Sequence, residues 1–290
     1  MVKKILKLLY KILPWKQHLF SLVKRIYHPP HNIYKHLHFK GIFEVKVDNS
    51  KFLLKHYGYQ IENAIFWEGI ESWEKVSIRL WIEVCKRSNV ILDVGANTGI
   101  YSLVAKTVNP NANVYAFEPV TRVFDKLMQN VELNHYPIKC YEVAVSNYNG
   151  KAVIYDQATE HILSVTVNKN IHGPSVKVIE REVQTITLDS FIKRNHITQV
   201  DVIKIDVETH EPEVLEGLKS HLSQFRPTLL IEVLNEEVGS RIESQLAGLG
   251  YLYFDIDEES KPRQVKSLTK SSYYNFIICT PEVATYLDLL

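Results

Sequence analysis

Three groups of residues carry the chemistry available to this chain. The first is Ile91-Leu92-Asp93-Val94-Gly95-Ala96-Asn97-Thr98-Gly99-Ile100-Tyr101-Ser102, an apolar run, a glycine-marked turn and the start of a helix. That layout is how α/β folds hold an adenine-containing cofactor. The second is Val114-Tyr115-Ala116-Phe117-Glu118-Pro119, a short apolar strand ending in a carboxylate 25 residues after Asp93. An acid at a neighbouring strand end can accept hydrogen bonds from both hydroxyls of a ribose. The third is Lys204, Asp206, Glu208, His210 and Glu211, crowded at the exit of the apolar run 200–205. A core strand has no structural need for so many ionisable groups, which are tolerated where they reach a cleft or pair with one another.

Each residue of the first group has a physical task. Asp93 can bind the amides of the turn or a cofactor's amino group. Gly95 and Gly99 allow a tight turn and a close backbone approach to a ligand. Asn97 stands where a dinucleotide fingerprint has its second glycine, and neither glycine nor alanine follows at the third place. The pyrophosphate cradle is therefore poorly matched, and a cofactor without phosphate, S-adenosylmethionine, fits better. Glu118 and Pro119 fall at its ribose, and Ala144 and Ser146, at the end of a third strand, can line its adenine. The plain alternative is a glycine-rich structural turn.

These blocks, with Asn130, Leu133-Asn134, Leu188-Asp189 and Asp201-Val202-Ile203-Lys204-Ile205-Asp206-Val207-Glu208 running into His210-Glu211, resemble the FkbM-type family of S-adenosylmethionine-dependent methyltransferases over roughly residues 88–235. The resemblance implies a class I methyltransferase fold, usually O-methylation, and often a sugar or secondary-metabolite hydroxyl as acceptor. It also implies that the first block and Glu118 hold the cofactor. One position departs: the family usually has glycine between the glutamate and the histidine, where this chain has Thr209.

Methyl transfer to a hydroxyl needs an acceptor oxygen in line with the methyl group and a base for its proton. His210 is the first candidate base, because an ordinary imidazole is mostly neutral at cellular pH. Asp206 is the second, or a group that positions the acceptor. Glu208 and Glu232 would orient His210 or bind sugar hydroxyls, and Lys204 would pair with a carboxylate. Alternatively, His210 and Glu211 only decorate the first turn of a helix, where an acid suits the dipole. A divalent metal on Asp206 and Glu232 is chemically reasonable, but no dense carboxylate motif demands it and no metal ligand is assigned.

The elements that must position these residues alternate. From residue 72 the pattern predicts a helix capped by Ser72 over 73–86, a strand 90–94, a helix 99–107, a strand 113–117 and a helix capped by Thr121 through 133. A third strand, 140–146, should turn at Asn149-Gly150 into a hairpin returning over 151–155. Residues 156–182 are irregular and should form a strand pair on the cofactor side. Then come a short helix 190–194, a strand 200–205, a helix 210–222, a strand 228–233, a helix 240–249, and strands 251–256 and 273–279 as an antiparallel pair around a polar loop. This is an α/β chain with one doubly wound, Rossmann-like sheet of the class I type, mostly parallel with an antiparallel C-terminal pair. Residues 71–290 form the cofactor-binding domain, and 1–70 form a basic helical and small-strand extension that caps it.

Composition narrows the partners. The 290 residues carry a net charge of only +1, yet residues 1–40 hold nine Lys or Arg and no acid, leaving the rest net negative by eight. A charge confined to one end argues against a nucleic-acid footprint. Residues 1–27 alternate lysines with bulky apolar residues, are broken at Pro14, and lack both a spanning run and a signal-peptide core. They fit either an anionic membrane surface or a helical cap, which places the protein in the cytoplasm with contact at the cytoplasmic membrane face open. His18, His28, His31, His36 and His38 match no zinc spacing, and Cys85, Cys140 and Cys279 are too scattered for a disulfide framework. The expectation is an S-adenosylmethionine-dependent O-methyltransferase for a carbohydrate or similar polar small molecule. An NAD(P)-dependent oxidoreductase and a noncatalytic membrane-associated scaffold are the alternatives.

Overall fold

The computed structural model describes residues 15–157 and 178–290. The N-terminal part runs through helix α1 (Lys16–Ile26), the short helix α2 (His31–Tyr34), strands β1 (Gly41–Val47) and β2 (Ser50–His56), and helix α3 (Gln60–Glu68). β1 and β2 pair in an antiparallel hairpin of their own. Helix α4 (Lys75–Lys86) then leads into β3 (Val90–Val94), α5 (Ile100–Val108), β4 (Asn113–Phe117), α6 (Thr121–Leu133) and β5 (Lys139–Tyr141). After β6 (Ala144–Val145), β7 (Gly150–Gln157) and β8 (Val178–Ile186) come α7 (Leu188–Arg194), β9 (Val202–Ile205), α8 (Glu211–Glu216), α9 (Lys219–Phe225) and β10 (Thr228–Glu232). The chain closes with α10 (Glu236–Leu246), β11 (Leu252–Asp255), β12 (Arg263–Val265), β13 (Asn275–Cys279) and α11 (Pro281–Tyr286).

Among the described residues, eight strands form the main sheet in the order β12-β11-β13-β10-β9-β3-β4-β5. β10, β9, β3, β4 and β5 run parallel, and β13, β11 and β12 add antiparallel strands at one edge. The parallel strands read as nearly unbroken apolar runs because helices cover both faces. Side chains alternate between two cores. Ile91, Val114, Val202 and Leu230 join one, with α4, α5 and α6; Leu92, Phe117, Ile203 and Ile231 join the other, with α7, α8, α9 and α10.

That alternation places the chemistry. Asp93 and Lys204 are register partners across β3 and β9, and Lys204 stands opposite Leu230 of β10. With a period of two, Asp93, Lys204, Asp206 and Glu232 share one face at the carboxyl edge of the sheet. Phe20, Tyr34, Phe43, Phe66 and Trp67 of the N-terminal part belong to the core cluster on that same face.

Several local expectations are corrected. The run 140–146 is not one strand: β5 stays in the main sheet, whereas β6 leaves it to pair with β8. No hairpin joins it to 151–155, because β7 pairs antiparallel with β8, Gly150 opposite Thr185. Of residues 156–182, positions 158–177 lie outside the described residues, and the rest extend β7 and β8. The helix over 210–222 is divided into α8 and α9 at Gly217, where a Cβ would overlap the carbonyl oxygen of Ser146. Glu74, not Ser72, is the N-cap of α4, and Val120, not Thr121, that of α6; the Thr121 hydroxyl instead bonds Glu142 at 2.6 Å. The polar loop 261–270 contains β12.

Candidate active site

The turn after β3 and the end of β4 build the first cavity. The amides of Gly95 and Ala96 both donate to the carbonyl of Phe117, which ties the two strand ends together. Gly95 has φ +79, and a Cβ there would overlap the carbonyl oxygen of Asp206. Only glycine lets the ends of β3 and β9 approach this closely. The Glu118 carboxylate accepts from the amides of Asn97 and Val120, each at 3.0 Å. Burial pushes its carboxyl up to about 7, against the pull of those two amides and of Arg122. Each oxygen keeps acceptor capacity beyond its amide partner, so two ribose hydroxyls can still be received. Phe117, Pro119, Val120, Val143, Ala144 and Val145 supply an apolar wall for a flat base. A phosphate-free nucleoside cofactor fits this lining, which holds no cationic side chain among the described residues.

A second, larger cavity of about 1050 Å³ opens on the other side of the turn. Its floor is the sheet edge, with Lys204, Asp206, Glu208 and Glu232; its roof is the N-terminal part, with His38, Tyr59, Ile65 and Trp73. The two cavities share Gly95, Asn97, Asp206 and Glu208. Lys204 Nζ donates to Asp206 Oδ2 at 2.8 Å and lies 4.6 Å from the ring centre of Tyr101. Burial works against the Lys204 charge, but Asp206, Asp93 and Glu74 outweigh it and hold its pKa above the ordinary value. The Tyr101 hydroxyl donates to Glu74 at 2.5 Å. Glu232 is pushed up to about 9, first by burial and then by Asp206, Glu208 and Glu211, so it carries a proton at neutral pH. Among the described residues, no group of three or more His, Cys, Asp or Glu side chains is arranged to hold a metal ion.

Residues 93–253 match the model of the methyltransferase FkbM domain. The chain belongs to the FkbM methyltransferase family. Its cofactor is S-adenosylmethionine, and its sheet is the class I, Rossmann-like methyltransferase sheet. Hexuronic acid methyltransferase AglP of Haloferax volcanii is 29% identical over 149 residues, covering 51% of this chain and 58% of that protein. The 2-O-methyltransferase NoeI of Sinorhizobium fredii is 28% identical over 152 residues, covering 49% and 62%. The chain thus spans less than two thirds of the length of either. A solved methyltransferase FkbM from Methylobacillus flagellatus superposes with a TM-score of 0.44 and 14% identity over 66% of this chain and 43% of that one.

Gly95, Asn97, Glu118, Pro119 and Ala144, the candidates for cofactor contact, are brought together in the lining of the first cavity. Asp206, Glu208 and Glu232, the candidates for the chemistry, are brought together in the lining of the second cavity. Four expectations are corrected. Asp93 reaches neither cavity: it is fully buried, accepts from Ser102 Oγ at 2.6 Å, and burial pushes its carboxyl upward. Gly99 lies at the N-cap of α5, clear of both linings. His210 lines neither cavity and is not placed as a base. Glu208 and Thr209 take left-handed conformations, φ +56 and +78, and the chain they turn packs His210 against Ser146, Nε2 to Oγ 3.0 Å. Burial lowers the His210 pKa, with Glu213 opposing. Ser146 is engaged by that same contact and is not among the residues that line the first cavity.

Sequence reasoning missed three roles. Glu211 is a turn anchor: its buried carboxylate accepts from the amides of Val207 and Thr209 at 3.1 and 3.3 Å. Glu74 bonds Tyr101 in the lining of the larger cavity, and Trp73 and Tyr59 give that cavity aromatic surface. The capping-box spacing from Tyr59 to Glu62 was the available signal for α3, but nothing local in the sequence ties these residues to the sheet edge.

Proposed function

We propose that the protein is an S-adenosylmethionine-dependent O-methyltransferase whose acceptor is a hydroxyl of a carbohydrate or similarly polar small molecule. The observation that carries this reading is the meeting of the two cavities at Gly95, Asn97, Asp206 and Glu208. A cofactor on one side and an acceptor on the other come together only there, beside a carboxylate already fixed by Lys204. The names of the two relatives, a hexuronic acid methyltransferase and a 2-O-methyltransferase, support a sugar-like acceptor.

When bound, the cofactor supplies an electrophilic methyl group. The chain does the rest. Glu118 and the Gly95–Asn97 turn orient the nucleoside. Lys204 occupies Oδ2 of Asp206, which leaves Oδ1 to take the proton of the acceptor hydroxyl; the methyl group that replaces that proton would come from the cofactor's sulfur, which would be left as a neutral thioether. Protonated Glu232 donates a hydrogen bond to a neighbouring acceptor oxygen. Trp73 and Tyr59 offer flat apolar faces to a sugar ring. The N-terminal roof limits water at the junction.

Asp206→Asn tests the assignment. Turnover on hexuronic-acid and neutral glycan acceptors, read by mass spectrometry as gain of one methyl group, should fall by about 10²–10⁴-fold, the usual worth of a general base. Calorimetric affinity for S-adenosylmethionine should stay at the wild-type value. Undiminished turnover in the variant would remove Asp206 from the chemistry, and methyl gain on nitrogen alone would overturn the O-methyl reading.

A further inference from the structure

We infer that helix α1 seats this protein on an anionic lipid bilayer through an apolar stripe that the fold leaves uncovered. Trp15, Leu19, Leu22 and Ile26 recur at intervals of four, three and four residues, so they lie along one line of the helix. All four face solvent, Trp15 at 78% and Ile26 at 80% exposure. The opposite face is the one that packs. Phe20 is buried against Phe39 and Trp67, and Lys24 reaches the carbonyl of Phe66. The helix therefore has an inner face satisfied by the cap and an outer apolar face with no partner among the described residues.

Charge chooses the occupant. His18 and Arg25 flank the stripe on one side and Lys16 on the other, and the helix has no acid. Residues 1–40 as a whole carry nine Lys or Arg and no Asp or Glu. An apolar line between basic flanks suits an interface of anionic headgroups over acyl chains. No helix among the described residues is long and apolar enough to cross a membrane.

The stripe is also placed where a membrane would matter. A groove between residues 15–18 and 38–40 begins at Trp15 and holds Lys16, His18 and Lys40 but no acid. It shares His38 and Gly58 with the acceptor cavity. A bilayer under α1 therefore lies beside a cationic groove that borders that cavity.

The test is co-sedimentation of the full chain with vesicles of phosphatidylcholine, with and without phosphatidylglycerol. Wild type should pellet with the anionic vesicles and be released by salt. The double variant Leu22→Glu, Ile26→Glu alters only exposed positions and should weaken the partition roughly tenfold or more. Arg25→Glu keeps the stripe and serves if the double variant melts early; it should weaken binding to the anionic vesicles alone. Wild type left in the supernatant would overturn the inference. So would variants that bind as wild type, or a wild-type dimer in sedimentation equilibrium that the double variant dissolves, since a second copy would then be the occupant.

Discussion

The cofactor cavity and the acceptor cavity share a wall but are made in different ways. The first draws on the ends of β3, β4 and β9 and the turn beside β6, so its lining comes from short stretches next to strand termini. Backbone amides do much of its work, at Asn97 and Val120. The second collects residues from His38 to Glu232, and its floor and roof come from opposite ends of the chain. Side chains, many ionisable, do its work. A site made from backbone geometry constrains its own local sequence tightly. A site made by stacking a cap on a sheet edge can change its lining while the sheet stays as it is.

The sharpest way to break that contrast is Glu118→Gln. If the first cavity is an independent unit, S-adenosylmethionine affinity should fall about 10–100-fold, the worth of charge-assisted hydrogen bonds at a buried site. The acceptor KM at saturating cofactor should not move. The wild type should also bind the cofactor more tightly as pH rises through about 7, because ribose hydroxyls donate to the ionised carboxylate of a group raised to that value. Calorimetry across that pH range should find the Gln variant flat; a wild type that is equally flat would remove Glu118 from the ribose.

Trp73→Ala makes the converse test. Trp73 is half exposed at the acceptor cavity, so its loss costs little core. The acceptor KM should rise by roughly fivefold to tenfold through lost ring contact, with cofactor affinity unchanged. A shift in cofactor affinity of the same size would mean that the cavities do not act separately.

The smallest effect is expected from Glu232→Gln, read as stability. The Glu232 carboxyl is raised to about 9 in the folded chain from an ordinary value of 4.5, mainly by burial. Between those values the folded state holds a proton the unfolded chain has lost, so stability falls as pH rises toward 9. The Gln variant lacks that slope. In urea unfolding it should exceed wild type near pH 9 by on the order of 1 kcal/mol or more and lose the advantage near pH 4. An identical pH slope in both proteins would show that Glu232 ionises normally.

The same contrast explains what could be read from the residues. β3 and β4 fall at their expected bounds, and α6 ends at its expected residue, because each is an apolar pattern with local stop signals. Gly95 and Glu118 were legible because backbone geometry at a strand end demands those residue types. His210 misled. A titratable ring beside a carboxylate cluster looks functional in one dimension, but the left-handed Glu208 and Thr209 turn the chain there. Thr209, where the resemblance leads one to expect glycine, marked this turn, though not its direction. A β-branched residue at φ +78 is strained, and the two amide bonds to Glu211 hold it there. The parting of β5 from β6 was equally hidden, since one apolar run can serve two sheets. Glu74 and Trp73 were out of reach because only tertiary packing carries them to the sheet edge.

The link between Glu74 and Tyr101 has a further bearing. The stretch matched by the FkbM model begins at residue 93, after the whole roof, and the tail of α4 is followed by the short turn 87–89 before β3. A recombination breakpoint in that turn would exchange one roof for another and leave the cofactor half of the gene intact. The graft would need to restore several seams: the acid Glu74, which accepts from the Tyr101 hydroxyl and from Asn275 Nδ2 at 3.3 Å; a seat on Glu258, which bonds the start of α4; and the backbone of β2 at Leu53 and Lys55 that Asn130 and Asn134 bond. Descent in such a lineage would then follow two histories, with acceptor choice inherited separately from the catalytic sheet.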